Sequence, residues 1–215
     1  MRAAWSTALL AVVVVLAPGG SAGAQGSGTL YLVRPDPRLC PSPLCGGAWV
    51  RRVNHAVTRC ADGSVQRECY VARVSGVPEK LASARAGSTL VRGRLVPAGL
   101  NGFPGLGALA ATAAWRPAGP RPPTGTTFLV RDNGVRCVTT PCFSLTAQAV
   151  EGGGRATLSG LDLTRAGVTR RDEAQAWRAV TRGGLLVTGT VRRVPRAGPA
   201  GTGRALRATQ VWLRP

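Results

Sequence analysis

Six cysteines, one histidine and nine carboxylates supply most of the covalent, acid–base and metal chemistry open to this 215-residue chain. Two cysteine pairs share the spacing Cys-x4-Cys, Cys40 with Cys45 and Cys137 with Cys142. The remaining two, Cys60 and Cys69, bracket Asp62-Gly63, a strong hairpin-turn signal. An even number of cysteines in an exported chain predicts disulfides. Six cysteines allow 15 pairings. The two Cys-x4-Cys pairs occupy the same place in two copies of a repeat, and Cys60 and Cys69 occur in the first copy alone. Each pair is therefore expected to close on itself, contributing roughly 2 to 3 kcal/mol per bridge by the chain-entropy estimate. Four thiolates from the two Cys-x4-Cys pairs would suit zinc only if the loops faced each other, and the spacing is wider than that of a zinc ribbon. No Cys-x-x-Cys redox motif occurs. Neither a metal nor a cofactor is expected.

His55 has Ser64, Ser75 and Asp62 within reach in sequence, but no nucleophile-elbow motif accompanies them. Asp36 and Asp132 stand in Pro35-Asp36-Pro37 and Asp132-Asn133-Gly134, which are turn formers rather than an acid–base pair. Lys80 is the single lysine and follows no phosphate-cradling glycine motif. The expectation is a protein that is not an enzyme and acts by non-covalent binding.

The net charge of +19 would attract polyanions. The arginines are scattered rather than blocked, and arginine replaces lysine throughout, as GC-rich coding produces, so nucleic acid is not the expected partner. The candidate binding residues are Trp49 with Arg51 and Arg52 beside it, and Arg34 and Arg131 at the mouths of the two Cys-x4-Cys loops. Trp115 and Trp212 lie in apolar segments and read as core.

The elements that would position these residues occur twice. Leu32-Val33-Arg34, Cys40 and Cys45 recur 97 positions later as Leu129-Val130-Arg131, Cys137 and Cys142. Leu90-Val91-x-Gly93 recurs as Leu186-Val187-x-Gly189, and Leu109-x-Ala111-Thr112-x-x-Trp115 as Leu206-x-Ala208-Thr209-x-x-Trp212. Such registered self-similarity predicts two tandem modules, residues 28–117 and 125–215, joined by a Pro-rich extended linker over 118–124.

Alternating apolar residues predict strands at 31–34, 48–53, 69–74, 90–96 and 109–115 in the first module. In the second they fall at 127–131, 145–150, 156–163, 185–191 and 205–213. A short helix is predicted at 78–86 and a longer one at 170–182. The latter starts at Thr169, carries Ala174, Trp177 and Val180 near helical spacing, and stops at Gly183-Gly184. The result is a mainly β, α+β fold of two β-β-β-α-β-β modules, OB-like barrels stapled by disulfides. Glycine-rich loops are expected at 97–107 and 195–203.

Arg2, the apolar run Ala8–Leu16 and the exit Ser21-Ala22-Gly23-Ala24 predict a secretory signal peptide over residues 1–24. No later segment is apolar enough to span a membrane, so the expected location is secreted or periplasmic.

The string Val33-Arg34-Pro35-Asp36-Pro37-Arg38-Leu39-Cys40-Pro41-Ser42-Pro43-Leu44-Cys45, with Thr58-Arg59-Cys60-Ala61-Asp62-Gly63 and Val130-Arg131-Asp132-Asn133-Gly134, resembles a family of uncharacterised exported bacterial domains with paired CxxxxC loops. The resemblance covers most of the chain after the signal. It implies export and the module boundaries, and brings no active-site residues. The expected role is an exported binding or structural protein of the bacterial envelope or extracellular space, with an unknown protein or envelope component as partner. An inhibitor of an exported hydrolase and a polyanion binder are the alternatives.

Overall fold

A computed structural model describes residues 28–78 and 88–215. The expected signal peptide and the helix expected at 78–86 lie outside the described residues, save for Pro78. In the N-terminal half the chain forms β1 (Thr29–Pro35), β2 (Ala48–Arg52), β3 (Thr58–Arg59), β4 (Val65–Gln66), β5 (Cys69–Ser75), β6 (Thr89–Pro97) and β7 (Gly107–Pro117). β1 pairs with β2 and β6, β2 with β5, and β6 with β7, all antiparallel. β5 pairs with β7 in parallel, and this closes a five-stranded barrel. Alternation along each strand drives Tyr31, Val33, Val50, Val71, Val91 and Leu109 into its interior. The hairpin β3–β4 stands apart, stapled by Cys60–Cys69.

The C-terminal half contains β8 (Thr126–Asp132), β9 (Leu145–Ala149), β10 (Arg155–Leu158), β11 (Gly160–Asp162), a 3-10 turn at Thr164–Ala166, α1 (Arg170–Arg182), β12 (Leu185–Gly198) and β13 (Gly201–Leu213). β8 pairs with β9 and β12, β9 with β10, β12 with β13, and β11 runs parallel to β13. The single strand expected over 156–163 is broken at Ser159. Its hydroxyl both donates to Arg204 O and accepts from Arg204 N. The chain thereby leaves its antiparallel partner β9 for its parallel partner β13.

The turn expected at 195–203 is another correction. β12 runs to Gly198 and β13 begins at Gly201, so most of that segment is a long hairpin. In the N-terminal half, residues 98–106 do form a loop between β6 and β7.

α1 starts as its cap predicts, with Thr169 Oγ1 accepting from Asp172 N, and Gly183 follows its last turn. Its buried side is Asp172, Ala176 and Val180. Of the residues read at helical spacing, Val180 is buried while Ala174 and Trp177 are exposed, because the inward register runs through Ala176.

The glycines of the repeated Leu-Val-x-Gly segments, Gly93 and Gly189, sit where the register shifts in β6–β7 and β12–β13. A Cβ at either would run into the backbone oxygen of the facing strand, Ala110 O and Arg207 O respectively.

The halves share a core of Leu30, Val53, Leu90 and Trp115 from one and Leu186 and Trp212 from the other. β7 pairs with β13 at Trp212–Pro117 and Leu213–Arg116. Trp115 and Trp212 are therefore buried at the junction, not in the barrel interiors. Asn54 and Glu151, 97 positions apart and both at positive φ, make matched cross-junction bonds. Asn54 Oδ1 accepts from Thr127 N (2.8 Å), and Glu151 Oε1 accepts from Leu30 N (2.9 Å). Residues 118–124 are not a detached spacer. Gln210 bonds Gly119 and Arg121, and Thr209 bonds Thr124, which fastens the segment to β13.

Candidate functional site

On the outer face of the barrel, strand register places Arg34 (β1) opposite Trp49 (β2), and Trp49 opposite Tyr70 (β5). Side chains opposite one another share a face, so the three form one row. Trp49 and Tyr70 meet edge to face with centroids 5.6 Å apart. Arg51, two positions along β2 from Trp49, is exposed on the same face. Arg52 takes the other face and pairs with Glu151 across the junction (3.3 Å). The two neighbouring arginines expected to act together are thus separated by the pleat.

The loop closed by Cys40–Cys45 folds over this row. Arg38 lies over both rings, 5.1 Å from the Trp49 centroid and 5.0 Å from that of Tyr70, and donates to Leu44 O. Asp36 accepts from Arg38 Nε (3.0 Å) and from Trp49 Nε1 (3.2 Å). These bonds, Arg38 foremost, hold the Asp36 carboxyl below the usual carboxylate range. Tyr70 donates to Pro43 O and accepts from Gly47 N. Arg34 is bound to Glu68 at 2.6 Å and also lies 5.6 Å from the Trp49 ring. The indole expected as an open stacking surface is therefore half-buried and flanked by two arginines of its own chain. Leu39 is fully exposed, and Leu44 is 49 % exposed.

The C-terminal half carries the same row with other side chains, Arg131, Thr146 and Thr157. Its loop is closed by Cys137–Cys142 and held by Asp132, which binds Arg136 at 2.9 Å and accepts from Gly134 N. Arg136 keeps the Asp132 carboxyl below its ordinary range. Ala200 N donates to Thr140 O, so the β12–β13 hairpin braces the loop. Val135, Val138 and Phe143 are exposed on it, Val138 completely. A cleft of about 980 Å3 lies between this face, with Thr146 on its lining, and β6–β7 of the other half. Arg131 lies in it and donates its Nε to Gly183 O. Thr146 Oγ1, on the same lining, finds no hydrogen-bond partner among the described residues.

His55 Nε2 lies 2.8 Å from Glu151 O, and Asp62 accepts from both the amide and the hydroxyl of Ser64 in a local turn. Among the described residues, no three His, Cys, Asp or Glu side chains gather around a point that would hold a metal. No helix among them is long and apolar enough to cross a membrane. Six cysteines form three disulfides, Cys40–Cys45, Cys60–Cys69 and Cys137–Cys142, the pairs expected from the recurrence of the Cys-x4-Cys spacing.

Tyr70, Asp36 and Arg38 were not singled out as site residues from the sequence. The alternation of β5 and the Asp-x-Arg spacing carry their signal only once the strand order is known. The cleft has no local signal, because its walls come from different halves.

A family model described as a domain of unknown function, DUF6748, matches residues 29–215. No curated protein and no solved structure matches the chain.

Proposed function

The chain belongs to the DUF6748 family, and from that premise we propose that it is an exported, non-catalytic binding protein of the bacterial envelope or extracellular space. In this reading it is built from two copies of one OB-like module, residues 28–117 and 125–215, and recognises a protein or envelope component through its two Cys-x4-Cys loops. The matched Asn54 and Glu151 bonds and the matched bulge glycines support the two-copy reading. Three disulfides support an oxidising compartment.

The observation that carries the binding role is the first loop. It is closed by a disulfide and pinned by Arg38, Asp36 and Tyr70, yet it turns Leu39 and Leu44 to solvent. A loop already rigid loses little entropy on binding, so exposed apolar side chains on it are suited to recognition. A photo-crosslinking residue at position 39 or 138 should give one discrete adduct in the producing cell's envelope or medium fraction, absent with the same residue at exposed Thr202. Equal labelling at all three positions, or no adduct at either loop, would reject the loops as the recognition surface.

The second reading, an inhibitor of an exported hydrolase, is favoured by the fully exposed Leu39 and Val138, each adjacent to a bridged cysteine. It requires that at least one member of a protease panel be inhibited, or cleave slowly at one of these loops. A panel without either result excludes it.

A further inference from the structure

The cleft between the halves is not needed by the loop reading and has a chemistry of its own. Among the described residues four arginines line it; Arg92 is engaged elsewhere, which leaves the guanidinium groups of Arg131, Arg155 and Arg214. Two carboxylates, Asp132 and Glu151, share the lining. Both are engaged by arginines that do not line the cleft. Asp132 is bound by Arg136, and Glu151 by Arg52 while it also accepts from Leu30 N. The local field is therefore positive and favours an anionic occupant. Among the described residues Arg131 commits only its Nε, at Gly183 O, which leaves the forked end of the guanidinium directed away from that bond.

The kind of anion follows from what else is there. Among the described lining residues Trp115 is the sole aromatic; it is 9 % exposed and covered by Arg214 at 5.4 Å. Nucleic-acid bases need open rings on which to stack, so the cleft lacks what a single-stranded polynucleotide uses. A peptide that bound by strand addition would need an unpaired strand edge. β8, β9 and β12 of the floor and β6 and β7 of the facing wall are each paired on both sides. The polar groups suit hydroxyls. Thr112 Oγ1 donates to Arg92 O and still has lone pairs, and the Gln148 amide nitrogen donates to Gly153 O while its carbonyl oxygen is an acceptor. At about 980 Å3 the space is at the upper end of small-ligand sites, roughly 300 to 1000 Å3.

We propose that the cleft binds a short acidic oligosaccharide, with Arg131, Arg155 and Arg214 taking its carboxylate or sulfate groups and Thr112 and Gln148 its hydroxyls. This site is separate from the exposed tips of the cysteine loops, although Asp132 and Asn133 at the base of the second loop share its lining.

The test is calorimetric titration of the intact protein with three probes: tetragalacturonate, a sulfated tetrasaccharide and the neutral maltotetraose. At least one acidic probe should bind, and maltotetraose should not. Affinity should fall as salt rises about tenfold from roughly 0.02 M, because the contacts are partly exposed charges. Arg155→Gln and Arg131→Gln should each weaken binding roughly tenfold. The exposed Arg155 guards against loss of fold in the Arg131 variant, and circular dichroism of each checks this. Leu39→Asp and Val138→Asp should each leave the affinity unchanged, which separates this site from the exposed tips of both loops. Equal binding of the neutral sugar overturns the proposal. So does an equal loss with Arg192→Gln/Arg193→Gln on the distant hairpin, or failure of both acidic probes. A single-stranded oligonucleotide that competes from the same site with higher affinity would overturn it in favour of nucleic acid.

Discussion

Asp36 accepts from the guanidinium and amide of Arg38 and from the indole of Trp49, so one carboxylate joins the mouth of the first cysteine loop to the aromatic row beneath it. Its pKa is lowered on folding, chiefly by Arg38. The stabilisation it gives is present above the unfolded carboxylate pKa of about 3.9 and is lost as pH falls through the lower folded value. A carboxyl-carbon NMR titration should place the Asp36 midpoint below that of an ordinary aspartate, and Arg38→Gln should raise it. An unshifted midpoint in both proteins would mean that the Arg38 contact does not persist in solution. Trp49→Ala removes an edge-to-face partner of Tyr70 and a donor to Asp36. Such a truncation at a half-buried site should cost about 1 to 3 kcal/mol in urea denaturation. A change under about 0.5 kcal/mol would return the indole to the role of an open, replaceable stacking surface. Arginine and tryptophan were legible as neighbours in the sequence. That the ring is occupied by its own chain's guanidinium groups was not, since Arg38 reaches it only after the loop closes.

At the level of elements, the repeated Leu-Val-x-Gly segments had a visible pattern but no visible cause. The structure supplies it. Gly93 and Gly189 mark bulges in the second-to-last strand of each half, where the facing backbone oxygen occupies the place of a Cβ. Gly189→Ala should therefore destabilise the protein by about 2 kcal/mol or more, read as a fall in thermal midpoint, whereas the same change at exposed Gly105, with nothing within 4 Å, should not. Equal effects at the two sites would remove the close-approach explanation. α1 was legible to the residue at both ends, because caps are local: Thr169 accepts from an amide three residues on, and Gly183 ends the last turn. Which side of it is buried was not legible, since Trp177 falls in the same apolar spacing as Val180 yet lies exposed. The third strand of the C-terminal half was likewise read as continuous. Its break depends on Arg204, 45 residues away, whose backbone recruits the Ser159 hydroxyl.

Across the whole molecule the halves are joined by a mixed core, a strand pairing and a set of polar bonds. Arg116 at the end of β7 binds Asp172 in α1 of the other half, and that contact, more than any other, lowers the Asp172 pKa. Its contribution is again present above the unfolded pKa of about 3.9 and lost as pH falls through the folded value. Between about pH 5 and pH 3, denaturant midpoints of the native protein should fall more steeply than those of Arg116→Gln. Parallel curves would mean that the ion pair adds nothing to folding. Trp212→Ala opens the shared core from its centre and should cost about 3 to 5 kcal/mol. Near-ultraviolet and far-ultraviolet signals of the native protein should unfold together, because neither half is complete without the junction. Two separated transitions in the native protein would show that the halves fold independently.

What the sequence determined by itself is what short-range physics determines. Strand alternation, the helix caps and the turn at Asp62-Gly63 all follow from neighbours along the chain. The recurrence of short segments also aligned positions between the two halves and, with them, the cysteine pairs. Tertiary structure decided everything that depends on residues from both halves meeting. It sent Trp115 and Trp212 to the junction, turned Arg52 toward Glu151 and Arg51 toward solvent, and enclosed a cleft behind Arg131 where the first half has Trp49 and Tyr70. Those outcomes rest on contacts between residues some 40 to 120 positions apart, whose cost in chain entropy is repaid only when the two sheets have closed and packed together.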